Sequence, residues 1–478
     1  MPNFIVSTAT TTVRTIASTE AGIITAAGSI VGFFPVAVTM SGGRLIMAGT
    51  VFADDAAIDV NAGSGGFASV SIASTGIAAS SDEGLTLDGL GRIALSNAGL
   101  ISAQNYGVTT TVRTALIDNS GDIVGQLGVG VRAIGTETFS LSNSGRITGN
   151  SVSFSGISID NNINCDVTNG GLISGGLGMI IESTNAVLVN SGTITGASGA
   201  GIEAETTGSF KLTNTGSISG GGGGVVLTAL GVCNIVNTGV ISGGGAGSLS
   251  LGDGDCFVRN SGTLTNDIDL GGGVDTFFGQ GGIQFFITAG AGADYVAGGA
   301  MDEYFDMGSG NDAAFGGSGD DSIEGYAGLD TLHGGQGDDS LNGVEDDDQL
   351  FGGAGDDTLI GDLGVDILRG GGGHDSLSGG AGKDSLHGNA GDDTMTGGAA
   401  VDVFIFGRGN GADEITDFAN DIDKLDLRVL GYANLAALAA DGDDTSLGLL
   451  FDFTSHGGGS LLVSGLTLAT LTAVDVLI

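Results

Sequence analysis

An aspartate returns every nine residues through the second half of this chain, at Asp312, Asp321, Asp330, Asp339, Asp348, Asp357, Asp366, Asp375, Asp384, Asp393 and Asp402. Asp294 keeps the same register ahead of the run. Two residues before most of them stands a glycine, as at Gly319, Gly337, Gly355 and Gly373. Two residues after stands an apolar side chain, from Ile323 and Leu332 to Met395 and Phe404. A glycine turn can bend until backbone carbonyls face inward. The aspartate adds a carboxylate, and the apolar residue anchors a short strand. Such a repeat collects hard oxygen donors, which suit Ca2+ with its six to eight oxygen ligands. The spacing lines up carboxylates and glycine turns as candidate oxygen ligands for such a cation.

Some units depart from the pattern. Met301 and Glu303 take the glycine and aspartate places of one unit, Asp346 and Ala400 replace glycine, and Ala314 replaces the apolar anchor. Those units match the ion-site pattern less well than the others.

Other reactive types are sparse. All four histidines, His333, His374, His387 and His456, lie in or after the array, so the first 332 residues hold none. That excludes a His-Glu-x-x-His zinc helix and a Ser–His pair confined to that region. His333 and His387 share a repeat position roughly 14 Å apart at strand spacing. They cannot share a metal, and they are expected on solvent-facing loops. Residues 1–270 hold one tyrosine, Tyr106, and no tryptophan, which leaves little for proton abstraction or sugar stacking. Glu203 and Glu205 alternate on a strand and so share a face. A solvated strand face is the expected reading, with a glycosidase carboxylate pair the alternative. No catalytic residue is expected, and the chain reads as a non-enzyme.

The formal charge of −42 is concentrated: residues 290–430 hold 30 acidic against 5 basic residues, and residues 1–270 hold 19 against 8. A block this acidic repels itself and does not bind nucleic acid by counterion release. No run of 18 apolar residues offers a membrane span. Met1–Thr25 lacks the basic-then-apolar order of a cleaved leader.

The elements that position the aspartates must be short strands and tight turns. Of 478 residues, 95 are glycine, 2 are proline and 41% are hydrophobic. The first half carries a longer repeat. Leu95-Ser-Asn-Ala-Gly-Leu-Ile-Ser102, Leu141-Ser-Asn-Ser-Gly-Arg-Ile-Thr148 and Leu212-Thr-Asn-Thr-Gly-Ser-Ile-Ser219 are copies of one phrase, with asparagines at 97, 119, 143, 169, 190, 214, 237 and 260. A second phrase, such as Gly201-Ile-Glu-Ala204, lies between copies, so each unit holds at least two short strands. No unit can bury its own face, so units must stack one strand spacing apart, about 4.8 Å. The asparagines are expected to serve turns through the left-handed conformation and to hydrogen-bond to one another along the stack. Cys165, Cys233 and Cys256 each lie four residues before a repeat asparagine, where other units place Ile93, Ala115, Phe139, Ala186 and Phe210. That is an inward apolar column, so buried free thiols are expected, with a Cys233–Cys256 bond between adjacent coils as the alternative.

The nine-residue unit resembles the RTX (repeats-in-toxin, hemolysin-type) calcium-binding nonapeptide Gly-Gly-x-Gly-x-Asp-x-apolar-x, as in Gly334-Gly-Gln-Gly-Asp-Asp-Ser-Leu-Asn342. In that family two nonapeptides make one coil, with ions held between turns. The 23-residue phrase resembles the parallel β-helix of autotransporter passengers and large adhesins. The tail, with Asp402-Val-Phe-Ile-Phe406, Gly411-Ala-Asp-Glu-Ile-Thr-Asp-Phe418 and Asp423-Lys-Leu-Asp-Leu427, resembles the C-terminal segment of serralysin-type proteins. There it caps the roll and carries an uncleaved type I secretion signal.

These resemblances imply an all-β chain: a parallel β-helix over 1–270, a transition coil over 271–290, an RTX β-roll over 291–405, and a cap with secretion signal over 406–478. They imply a calcium-binding structural protein secreted by a Gram-negative bacterium and resident at the cell surface or matrix, as a surface-layer-like subunit does. Expected partners are copies of itself in an oligomer or lattice, the type I secretion apparatus during export, and a cell-surface polysaccharide. A calcium-dependent adhesin and a polysaccharide-modifying epimerase or lyase are the alternatives.

Overall fold

The computed structural model describes residues 4–6, 9–10, 14–16, 21–25, 29–31, 36–63, 66–150, 152–228, 231–280 and 286–478. The stretch Met1–Thr25 and the segment 271–290 each include residues outside that set. The chain forms two compact units, Met1–Ile268 and Asp269–Ile478. Both are parallel β-solenoids.

In the first unit each coil carries three strands, one more than the two that the sequence phrases mark. Arg92–Asn97, Leu100–Ala103 and Tyr106–Thr110 form one coil. They pair in parallel with Thr114–Asn119, Asp122–Gly125 and Val131–Ile134 of the next. Further along, the third strand of one coil fuses with the first of the next, as in Met179–Asn190 and Ala200–Asn214. The isoleucine of the repeated phrase stacks coil on coil through Ile147, Ile173, Ile194, Ile218 and Ile241, all buried. Burying each is worth about 1.5–3 kcal/mol.

The asparagines form a buried amide ladder. Each Nδ2 donates to the Oδ1 one coil on, from Asn97 through Asn119, Asn143, Asn169, Asn190, Asn214 and Asn237 to Asn260, at 2.7–2.8 Å. None of the eight has a positive φ, so the left-handed turn reading fails and the stacked-amide reading holds.

The cysteine column is real, but its chemistry differs from the expectation of three free thiols. Ala186, Phe210, Cys233 and Cys256 are successive register partners. Cys233 and Cys256 stand 4.5 Å apart at Cα and are joined by a disulfide, while Cys165 is a buried free thiol. Direct pairing on adjacent coils puts the two sulfurs within bonding reach, whereas Cys165 lies between Phe139 and Ala186.

The second unit has two strands per coil and a register of 18 residues. Leu332 pairs with Leu350, and Leu341 with Leu359. One buried leucine per strand makes a thin core, with Leu332, Leu341, Leu350, Leu359 and Leu368 fully inside. At the end of the array Val403–Ile405, Ala412–Ile415 and Lys424–Asp426 continue the parallel stacking. The strands Gly442–Asp444, Gly448–Asp452 and Ser460–Ser464 then turn antiparallel. Ser460–Ser464 covers the exposed edge of Ala412–Ile415, which removes an open template for strand addition.

The loop placement expected for His333 and His387 is incorrect. Both lie within strands, Thr331–Gln336 and Ser385–Ala390, and are half-buried. His333 is stacked between Phe315 and Phe351, with ring centroids 4.7 and 4.5 Å away. The 18-residue register places these three side chains on the same outward column.

Candidate metal centre

The nine-residue spacing divides the aspartates between the two edges of the roll, because one coil takes two units. Asp294, Asp312, Asp330, Asp348, Asp366, Asp384 and Asp402 line one edge. Asp321, Asp339, Asp357, Asp375 and Asp393 line the other. On each edge Oδ1 accepts a hydrogen bond from the backbone N–H of the previous rung. Asp312 donates to Asp330 at 2.8 Å, Asp330 to Asp348 at 2.8 Å, and Asp339 to Asp357 at 2.8 Å. The apolar residue two positions on points inward, so the aspartate, on the same side of the strand, also points inward. None of the twelve is more than 2% exposed.

Their second oxygens have no partner. In all twelve, Oδ2 is buried without a hydrogen bond. A buried carboxylate oxygen left in that state is costly, and the electrostatics register it. Burial is the largest cause pushing these acids up, the N–H hydrogen bond opposes it, and neighbouring carboxylates add to it. Asp330 is raised to about 8, Asp312, Asp348 and Asp357 to about 7, and Asp339, Asp366, Asp375, Asp384 and Asp402 to about 6.

The glycines leave the space these oxygens need. A Cβ on Gly334 would collide with Oδ2 of Asp339. Gly319, Gly337, Gly355 and Gly373 all take positive φ, from 117° to 142°. A Cβ on Gly337 would strike the carbonyl oxygen of Gly319, so that carbonyl is directed along the stack toward the next turn. Among the described residues no three Asp, Glu, His or Cys side chains converge as a metal cluster. A cation here therefore draws on one or two carboxylates and completes its shell with carbonyls, a donor set that fits Ca2+. The residues that would hold it are the ladder aspartates and the glycine-turn carbonyls. Ca2+ supplies positive charge at the oxygens that otherwise lack any partner.

The ladders extend beyond the twelve. Asp275 donates its N–H to Asp294, Asp393 to Asp413 and Asp402 to Asp423. The Asp-x-apolar phrase is present at each, in Asp275-Thr-Phe277, Asp413-Glu-Ile415 and Asp423-Lys-Leu425. The strict period hid them, because these steps are 19, 20 and 21 residues rather than 18. Glu303, set aside in the sequence as a departure, occupies a rung: its N–H donates to Asp321, its Oε1 has no partner, and burial raises it to about 8. Asp346 and Ala400 adopt the left-handed backbone of the glycines they replace, with φ of 75° and 99°.

A family model of the RTX calcium-binding nonapeptide repeat matches four times, over residues 286–300, 308–341, 342–377 and 378–412. Residues 286–412 carry RTX calcium-binding repeats. The interruption between the first two matches falls on the Met301–Glu303 unit. No curated protein matches the chain. The RTX repeats thus account for both aspartate ladders from Asp294 to Asp402, while Asp275, Asp413 and Asp423 lie outside the matched segments.

The RTX roll carries two further features that the nonapeptide pattern does not demand. Asp302, Asp320, Asp338 and Asp356 form an exposed row on one edge, each Oδ1 accepting from the N–H one coil on at 2.7–3.0 Å. On an outward strand face, Phe315, His333 and Phe351 stack in sequence, with Tyr295 tilted against Phe315 at 5.3 Å and Arg369 over Phe351 at 5.6 Å.

Proposed function

We propose that this chain is a secreted structural protein of a Gram-negative cell surface or matrix, whose second unit folds on Ca2+ binding outside the cell. The observation that carries this reading is the pair of ladders with unpartnered, buried carboxylate oxygens. Without cations the ladders either protonate or repel, and at millimolar Ca2+ binding becomes folding free energy. A roll that stays open in the calcium-poor cytosol suits passage through the type I secretion apparatus. The Cys233–Cys256 disulfide supports an oxidising destination. Among the described residues no helix is long and apolar enough to cross a membrane.

The reading is also non-catalytic. A groove of about 660 Å³ on the first unit is lined by Ser69, Ser71, Ser96, Ser140 and Ser142 with Arg44 and Asp118, and by no histidine or cysteine. Its serines therefore have no histidine beside them to act as base, the usual arrangement for a serine nucleophile. Glu203 and Glu205 are both exposed on a strand face, which favours a solvated role.

A second reading, a calcium-dependent adhesin, is favoured by the outward Tyr295–Phe315–His333–Phe351 column. The rings cover one another's faces within the column, so a cell-surface polysaccharide would meet their outward edges, an apolar strip along the strand face.

Electron microscopy of native cells before and after chelator tests the structural role. A regular layer lost on chelation supports it, and an unchanged or absent layer refutes it. If a strain lacking the chain keeps its surface but loses polysaccharide attachment, the adhesin reading replaces it.

A further inference from the structure

Acid is kept off one face of the roll. The seven stacked strands from Tyr295–Ala297 to Val403–Ile405 on that face contain no acidic residue. On the other face the first four strands hold Asp306, Glu324, Glu345 and Asp362. Exposed acid also disappears along the chain after Asp362. From Leu363 to Gly391 the only acids are the buried ladder residues Asp366, Asp375 and Asp384, whereas Arg369, His374 and Lys383 are exposed. On the acid-free face Phe315, His333, Phe351, Arg369 and His387 are successive register partners. At about 4.8 Å per rung this column spans roughly 19 Å. It ends at a pocket of about 290 Å³ lined by His387, Asn389, Ile405, Arg408, Asn410 and Val429.

Among the described residues no ion pair engages Arg369 or Arg408. The nearby acids are already committed. Asp426, the register partner of Ile405, is held by Nε of Arg428 at 2.9 Å. Oδ1 of Asp392, on the adjoining edge, accepts from the N–H of Ala412 at 2.7 Å. A Cβ on Gly407 would stand 3.8 Å from Nε2 of His387, so the glycine leaves that nitrogen open to the pocket. Burial, and after it Arg369, lowers the His387 pKa below 6.5 against the opposing pull of Asp426. The neutral ring can therefore donate a hydrogen bond, while the two arginines bring charge. A guanidinium fork matches the two oxygens of a carboxylate.

We propose that this pocket binds a carboxylate of an acidic polysaccharide through Arg369, His387 and Arg408, with the adjoining sugars laid along the outward edges of Phe351, His333 and Phe315. The site rests on the adhesin reading and names the class of its ligand. A small free acid would use the pocket alone and leave the apolar strip bare, whereas a sugar chain covers both. The acidic edges repel an anionic chain laid across the roll, so the chain runs along the stack, over the face that carries no acid.

The test uses the full chain at one fixed free Ca2+ concentration, with fluorescently end-labelled oligogalacturonate and its methyl ester as probes and polarisation as the readout. The acid form should bind about tenfold tighter than the ester. Arg369→Ala and Arg408→Ala should each weaken the acid form by about tenfold, the loss of one charged hydrogen-bonding partner, and leave the ester unchanged. Phe351→Ala should weaken both forms alike, by about threefold. All three variants should keep the Ca2+-loaded circular dichroism of wild type. Equal affinity for acid and ester, or no binding of either, overturns the site. Acid-form binding that survives both arginine changes is Ca2+ bridging to the acidic edges and overturns it as well. If acid and ester bind equally and Phe351→Ala weakens both, the carboxylate pocket fails while the polysaccharide reading stands.

Discussion

Oδ1 of Asp357 accepts the backbone N–H of Asp339 one coil earlier at 2.8 Å, while Oδ2 of the same carboxylate is buried with no partner. One oxygen thus builds the stack and the other needs a cation. The two demands separate on substitution. Asp357→Asn keeps an acceptor for Asp339 but removes the charge. With saturating Ca2+ it should lower the stability of the roll by about 1–3 kcal/mol, the cost of a lost charged partner. With chelator it should raise stability, because a buried like charge is gone. Paired thermal melts of wild type and variant check this, and the same sign in both conditions would refute it.

A pH dependence follows for the calcium-free chain. The folded-state values of the ladder acids lie above the ordinary 3.8, near 6 for Asp366 and 8 for Asp330. The folded roll therefore binds more protons than the unfolded one. Its stability is greatest below about pH 4 and is lost as pH rises through 6 to 8. In chelator, acidification from pH 8 to pH 5 should promote folding of the array. Four of the five tyrosines, Tyr295, Tyr304, Tyr326 and Tyr432, lie in the second unit, so near-ultraviolet circular dichroism reports on it. A signal that weakens on acidification contradicts the assignment.

Thiol counting distinguishes the cysteines. In denaturant without reductant one thiol per chain should label, Cys165, and all three should label after reduction. Three labels before reduction would mean that Cys233 and Cys256 do not pair. Reduction of a loop of this length should cost about 3 kcal/mol of stability, read as a lower denaturant midpoint for the first unit and an unchanged one for the roll.

The amide ladder of the first unit should be sensitive at any rung. Asn190→Ala leaves Nδ2 of Asn169 and Oδ1 of Asn214 without their 2.8 Å partners. Nδ2 of Asn169 keeps the Gly171 and Thr193 carbonyls at 3.2 Å, so one buried acceptor is left open, at a cost of about 1–3 kcal/mol. The loss should be the same with and without Ca2+, because the first unit holds no RTX repeat. Urea titration in both conditions measures it, and a loss that appears only with chelator would argue against a cation-independent ladder.

By itself the sequence determined both periods, the inward columns and the identity of the calcium-binding repeat. Each of these is local: an aspartate two residues after glycine and two before leucine needs no distant contact to be read. The strict count from Asp312 to Asp402 even divides the ladder between two edges once two units make a coil. What only the tertiary structure decided depends on register between coils. Cys233 bonds Cys256 because the two are direct partners. His333 stacks on Phe315 and Phe351 because an 18-residue coil aligns them. Asp275, Asp413 and Asp423 join the ladders across coils of altered length, where a fixed period fails but hydrogen bonding to the next rung does not. The same register assembles Phe351, Arg369 and His387 into one column. Residues 18 apart in the chain become neighbours only when stacking brings them about 4.8 Å apart.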